Sequence, residues 1–143
     1  MKYRHEWKHE ITAFDVLCLR RRLSAVMQPD PHASNGRYLV RSLYFDDLRD
    51  QALQDKLNGV SRREKFRLRC YNGDSYLVLE KKSKLGGLCA KEQARLTRPQ
   101  AEALLQGNPA ALQDSSDPLV QELCAKMRTR GLRPKTIVDY TRE

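Results

Sequence analysis

Between Arg63 and Leu96 the chain alternates polar and apolar residues in three successive runs, and two glycine-containing turns separate them. Period-two alternation is the pattern of a strand, because successive side chains leave it on opposite faces. Arg63–Tyr71 alternates, Asn72-Gly73-Asp74 is a strong hairpin turn, and Ser75–Lys84 alternates again. Leu85-Gly86-Gly87 forms a second turn ahead of the run Leu88–Leu96. The segment therefore predicts an antiparallel meander of three strands.

The phase of the charges within the meander is its second constraint. In the first strand Arg63, Lys65, Arg67 and Arg69 fall on one face with Tyr71 beyond them, while Phe66, Leu68 and Cys70 fall on the other. In the second, Glu80, Lys82 and Lys84 share a face with Tyr76 and Val78; in the third, Cys89, Lys91, Gln93 and Arg95 are in phase. The simplest account is a solvated face whose apolar reverse lies on helices. Four cations at period two on one strand ask for more, because like charges side by side repel. Carboxylates such as Glu6 and Glu80 among them, or a bound anion, would relieve that repulsion. The pattern suggests a polar surface shaped for a polyanion, with phosphate the natural partner: Arg forks bind its oxygens in pairs and Lys adds point charges.

Composition sharpens this. Of 27 Lys+Arg and 18 Asp+Glu in 143 residues, 11 cations and 4 acids lie between Arg62 and Arg98, so most of the +9 net charge sits in the meander. The length suits one domain. No apolar run approaches the roughly 18 residues that cross a bilayer. Met1–Lys8 is charged at alternate positions and lacks the apolar core of a signal peptide, so the cytoplasm is the expected location. Cys18, Cys70, Cys89 and Cys124 are scattered without a CxxC pair and read as reduced thiols in or near the core.

Elsewhere, residues 3–10 read as a strand with Arg4, Glu6, Lys8 and Glu10 on one side and His5, Trp7 and His9 packing on the back. Thr12 and Asp15 resemble a capping box before a helix carrying Phe14, Val16, Leu17, Leu23, Val26 and Met27. Residues 28–36 read as a loop, 37–45 as a strand and 46–57 as a short helix starting at Asp46-Asp47. Thr97 and Gln100 predict a second capping box, Asp117-Pro118 opens another helix, and 135–142 reads as a last strand.

Four pieces then occur in order: Arg4-His5-Glu6-Trp7-Lys8, Val40-Arg41-Ser42-Leu43-Tyr44-Phe45-Asp46, Arg63-Glu64-Lys65-Phe66-Arg67-Leu68-Arg69-Cys70-Tyr71, and Leu79-Glu80-Lys81-Lys82. Together they resemble the VTC domain, the polyphosphate polymerase family of the CYTH-like triphosphate tunnel superfamily; Pro134–Arg142 resembles a later family strand. The resemblance implies an α+β fold in which an antiparallel sheet forms part of a triphosphate-tunnel-type barrel with helices packed outside. It implies binding of polyphosphate, triphosphate or ATP, and transfer of the terminal phosphate of ATP to polyphosphate with Mn2+ or Mg2+.

Carried over by position, Lys8, Arg67, Arg69 and Lys82 would hold phosphates, with Arg63, Lys65 and Lys91 added. Arg4, Ser42 and Tyr44 would line the tunnel wall. Glu6 and Glu80 would bind metal or orient the basic residues. Arg4 stands where the superfamily motif has its first glutamate. About six strands are expected, too few to close a tunnel, so residues 1–143 read as a single domain lacking the family's C-terminal strands. The expectation is a truncated domain that self-associates, as a homodimer, to complete the barrel. Two other functions stay open: a non-catalytic polyphosphate-binding domain, and a nucleic-acid-binding module. The acids in phase with the cations count against the second.

Overall fold

The computed structural model describes residues 2–30, 33, 36–73 and 77–143. In chain order its elements are β1 (Tyr3–His5), α1 (Ala13–Leu23), β2 (Tyr38–Asp46), α2 (Gln51–Leu57), β3 (Arg62–Tyr71), β4 (Leu77–Leu85) and β5 (Leu88–Leu96). Then come α3 (Arg98–Leu105), a 3-10 turn (Pro109–Leu112), α4 (Pro118–Thr129) and β6 (Arg133–Arg142). The strands form one antiparallel sheet in the order β1-β5-β4-β3-β2-β6. It is the expected α+β architecture: the sheet curls without closing, and β1 and β6 remain its two edges.

The meander is β3-β4-β5. Gly86, with φ of 58°, supplies the left-handed residue that its tight second turn requires. In the first turn Asn72 (φ 50°) and Gly73 (φ 72°) do the same, and the Asn72 side chain accepts a hydrogen bond from the Leu39 amide at 2.8 Å. The rest of that turn and the start of the expected second strand, Asp74, Ser75 and Tyr76, lie outside the described residues. Both capping boxes form: Thr12 with Asp15 starts α1, and Thr97 with Gln100 starts α3. Asp117 caps α4 by accepting from the Leu119 amide at 2.8 Å.

One face of the sheet is covered by α3, the 3-10 turn and α4. Leu43, Phe45, Phe66, Leu68, Leu79, Ala94 and Leu96 from the sheet meet Ala101, Leu104, Leu112, Leu119, Val120, Leu123, Cys124 and Met127. Burial of these apolar side chains is the main favourable term. Among the described residues no helix is long and apolar enough to cross a membrane.

Several expectations need correction. The strand read over residues 3–10 is paired only over Tyr3–His5. Trp7, expected to pack on its back, is 80% exposed, since among the described residues no neighbouring element covers the unpaired segment after β1. The helix read from Asp46 begins at Gln51. Asp46 instead ends β2, and its carboxylate turns forward to accept from the Ala52 amide at 2.9 Å and the Leu53 amide at 3.1 Å. All four thiols are free, but Cys18 is exposed, since α1 buries none of its residues.

Candidate functional site: the basic inner face

Call the side of the sheet turned away from α3 and α4 its inner face. Register fixes what stands there. Lys65 lies opposite Lys82, Arg67 opposite Glu80, and Arg63 opposite Lys84 across β3 and β4. Lys82 faces Lys91, and Glu80 faces Gln93, on β5. On the other flank Arg69 pairs with Ser42 and Arg67 with Tyr44 of β2. Arg4 pairs with Cys89 and so joins the same face at the β1 edge. The period-two cations of the sequence thus become a patch several strands wide. Lys8, although outside any strand, reaches the same end and lines a cleft of about 320 Å3 with Glu6, Arg63, Lys65, Lys82 and Lys84.

The two inner carboxylates are both occupied. Glu80, 1% exposed, accepts from Arg67 at 2.6 and 2.7 Å and has Arg69 and Lys91 each at 3.6 Å. Burial alone would raise its pKa; the charges of Arg67, Arg69 and Lys91 outweigh that and hold it below the usual carboxylate range. Glu6 receives the Lys82 ammonium at 2.6 Å on both oxygens, which lowers its pKa, with Lys8 and Arg4 adding to the effect. Arg4 itself stands 3.8 Å from Glu6 and is largely exposed.

A resident metal does not fit this donor set. An ion held by protein oxygens alone needs several carboxylates or carbonyls free to converge on it, whereas one held jointly with substrate phosphates needs only one or two. Glu6 and Glu80 are committed to different cations, and among the described residues no three His, Cys, Asp or Glu side chains gather. Of the two roles the resemblance gives these glutamates, the geometry supports orientation of the basic residues.

Between the paired Arg67 and Lys82 stands Lys65, which has no such partner. It is half-buried, its ammonium lies 5.2 Å from the Tyr44 ring centroid, and among the described residues it has no carboxylate partner. Burial pushes its pKa below the lysine range; Arg67, Lys82 and Lys56 push it the same way against the pull of Tyr44. Tyr44 accepts from Arg67 at 3.1 Å. Burial would raise the phenol, but Arg67, Lys65 and Arg69 hold its pKa below the ordinary value.

The other expected residues fall out in two groups. Arg63, Lys82 and Lys91 are on the inner face and reachable from solvent. Arg69 and Ser42 are on it but sealed, at 5% and 0% exposure, with Arg69 donating to Ser42 at 3.2 Å and to Tyr140 at 2.9 Å. Lys56 of α2, which lines the cleft, has no periodic signal in sequence because a loop and a helix bring it there. Tyr140 is equally unmarked in sequence; only the β2–β6 register, Val40 opposite Tyr140, brings it over Arg69.

On the helix side lies a second ion network. Lys81 is buried, donates to both Glu122 oxygens at 2.7 and 2.8 Å, and has Glu64 and Glu92 at 3.6 Å. Lys126 joins it through Glu122 at 2.7 Å and through Glu64. The sequence does carry a signal for it: Glu64, Lys81 and Glu92 are out of phase with the inner cations and therefore have to meet on the covered face.

Comparison with known proteins adds the following. No curated protein matches the chain. A crystal structure of a Bacillus halodurans protein, provisionally named an adenylate cyclase, is similar with a TM-score of 0.52 at 17% identity. The match covers 99% of this chain and 63% of that one, so this chain spans less than two thirds of its neighbour's length. At that identity the likeness is one of fold. The family model described as the VTC domain matches residues 3–143, nearly the whole sequence, and the chain belongs to the VTC domain family.

Proposed function

We propose that the inner face binds linear phosphate chains, triphosphate or polyphosphate, and that the domain serves a polyphosphate polymerase-type phosphotransfer from ATP to polyphosphate in the cytoplasm. The observation that carries the reading is Lys65: a half-buried ammonium without a carboxylate partner among the described residues, flanked by Arg67 and facing Lys82. A charge taken partly out of water and left unpaired is a standing cost that an anion would remove.

Lys65, Arg63, Lys82, Lys84 and Lys8 would contact phosphate directly around the cleft. Lys91 would add charge at its side, while Arg67, held by Glu80 and Tyr44, would present its remaining donors in a fixed direction. Ser42 and Arg69 would serve as wall. Mn2+ or Mg2+ would arrive with the triphosphate as part of the substrate. Catalysis in such a site is chiefly electrostatic: fixed cations stabilise the charge that spreads over a phosphoryl group moving in line to its acceptor. We further propose that residues 1–143 act as one domain, and that additional strands, from the remainder of a longer domain or from a second copy, cover the open inner face.

Calorimetry with tripolyphosphate, with and without Mn2+, followed by ATP and gel analysis for polyphosphate, tests the reading. Tripolyphosphate binding that orthophosphate cannot match, with product on the gel, is expected. Binding without product would leave the non-catalytic polyphosphate-binding role. No binding would end the phosphate reading.

A further inference from the structure

The chain has ten lysines, and their surroundings set one of them apart. Lys81, Lys82, Lys91, Lys126 and Lys135 each have a carboxylate oxygen 2.6–3.6 Å away. Lys2, Lys8 and Lys56 are exposed, so water solvates their ammonium groups. Lys65 and Lys84 remain, both half-buried and without a carboxylate among the described residues. Lys84 stands at the end of β4, beside the turn at Gly86, whereas Lys65 lies in mid-sheet. There the Tyr44 ring centroid is 5.2 Å from its ammonium, Lys82 is opposite and Arg67 is next on the same face.

Burial disfavours the charged form of an amine, and neighbouring positive charges do the same. Both act on Lys65, with Tyr44 pulling the other way, and the balance lowers its pKa. Such a lysine carries more free base than a solvated one, and the free base is the nucleophile. It is also accessible, because Lys65 borders the cleft of about 320 Å3 that it shares with Arg63, Lys82 and Lys84.

The same cleft holds an anchor for a phosphate. Lys82 uses two of its three N–H donors on Glu6, each at 2.6 Å, and retains the third. Arg63 gives one donor to the Val60 carbonyl and keeps the others. Lys65 faces Lys82 across the strands, and Arg63 faces Lys84, with Cβ atoms of such pairs roughly 5 Å apart. In an acyl phosphate a single bridging oxygen separates the carbonyl carbon from phosphorus. A phosphate resting on Lys82 and Arg63 therefore leaves the carbonyl beside the Lys65 amine.

We propose that Lys65 is an acylation site: an acyl phosphate docks its phosphate on Arg63, Lys82 and Lys84, and the Lys65 amine takes the acyl group ahead of the chain's other lysines. The docking half rests on the phosphate-binding reading above; the covalent half is a separate reaction with a different partner. The Nζ lone pair attacks the carbonyl carbon, a C–N bond forms, and the C–O bond to phosphate breaks. The electron pair leaves with the phosphate and one amine proton follows it, so the products are an amide and hydrogen phosphate; nothing is oxidised or reduced. The amide is neutral, and the acylated cleft lacks one cation.

The test incubates the intact chain with acetyl phosphate or, as a donor without phosphate, N-hydroxysuccinimidyl acetate, and reads acetylation at each lysine by peptide mass spectrometry. With acetyl phosphate, Lys65 should react about tenfold or more faster than Lys84, Lys8 and Lys56, as docking beside the amine implies. Tripolyphosphate should suppress that preference, and the succinimidyl ester should show a smaller one. Chain acetylated at Lys65 should bind tripolyphosphate about tenfold or more weakly in calorimetry. Equal reaction of Lys65 and the exposed lysines with acetyl phosphate would overturn the acylation site, and an equal preference from the ester would overturn the docking that defines it. In either case tripolyphosphate binding by the unmodified chain would leave the phosphate reading standing, and its absence would remove both.

Discussion

Replacing Lys65 with Met separates a binding residue from a structural one. The variant keeps an unbranched apolar stem of similar length against Tyr44, so the packing of the lysine methylenes is retained. Three electrostatic terms change. The repulsion of Lys82 and Arg67 disappears; for charges a generic cross-strand spacing of roughly 7 Å apart and an effective dielectric between 20 and 80 it amounts to about 0.6–2.4 kcal/mol per fully charged pair. Glu6 on Lys82 and Glu80 on Arg67 cancel most of that, leaving on the order of 0.5–1 kcal/mol. The cation–π contact over Tyr44, 5.2 Å from the centroid, is lost, worth about 0.5–1 kcal/mol in the other direction. The cost of holding an unpaired ammonium half out of water also goes, and this third term tips the balance toward stabilisation. The sign agrees with linkage: a lysine whose folded pKa is depressed destabilises the fold at neutral pH, where it must be charged. Thermal unfolding should therefore show a melting temperature unchanged or raised by a few degrees. Tripolyphosphate affinity should fall by about 10- to 150-fold, the loss of one hydrogen bond to a charged group. A melting temperature lower by about 5 °C or more with affinity unchanged would refute the reasoning, because Lys65 would then be holding the protein together and not waiting for an anion.

The other consequences are as direct. Glu80→Gln leaves Arg67 and Arg69 buried without their counter-ion; destabilisation of about 3–5 kcal/mol, a drop of about 10 °C or more, should appear in thermal melts. Glu6→Gln frees Lys82 from a partly exposed pair, so tripolyphosphate should bind about two- to fivefold more tightly by calorimetry. Glu80, Glu122 and Glu6 all have folded pKa values below their unfolded ones, so their contribution is present above the unfolded value of about 4.3 and lost as pH falls through the folded values. Urea midpoints should decline below about pH 4.3, less steeply in Glu80→Gln. Lys81→Met removes the cation from among three carboxylates that are each about one-third exposed; a loss of about 1–3 kcal/mol is expected in urea unfolding. Lys81, raised above the lysine range by Glu122, Glu64 and Glu92 despite its burial, contributes stability that is intact below its unfolded pKa and vanishes as pH rises through the folded one.

What the sequence made legible follows the range of the forces involved. The meander and its charged face are local, fixed by alternation and by turn residues such as Gly86, and they came through with correct phase. Caps are equally local, and Thr12, Thr97 and Asp117 act as their spacing implies. Trp7 misled because alternation continues past His5 although the strand partner does not; β5 begins at Leu88, opposite His5, and leaves nothing beyond to pair with. In sequence Arg69 is indistinguishable from Arg63, Lys65 and Arg67, the cations in phase with it, yet three hydrogen-bonding or charged groups from β2, β4 and β6 consume it. Periodicity assigns a face; only the register of distant strands decides whether a cation there is free to bind.

Register is in turn held by the network on the opposite face. Glu80, Lys81 and Lys82 are consecutive on β4, and the middle residue points to the helices while its neighbours point inward. A slip of one residue would turn Lys81 inward and both Glu80 and Lys82 toward α4, breaking two systems of ion pairs at once. Lys81 is anchored to Glu122 on α4 and lies near Glu64 on β3 and Glu92 on β5, so one side chain ties a helix to the three strands of the meander. The apolar core alone would tolerate some sliding of Leu79 or Phe66 against Leu123 and Met127, since apolar attraction has no preferred direction. Charge pairs have direction and count. The outer network thus keeps Lys65 opposite Lys82, and that alignment is what turns scattered cations into a trough of fixed spacing.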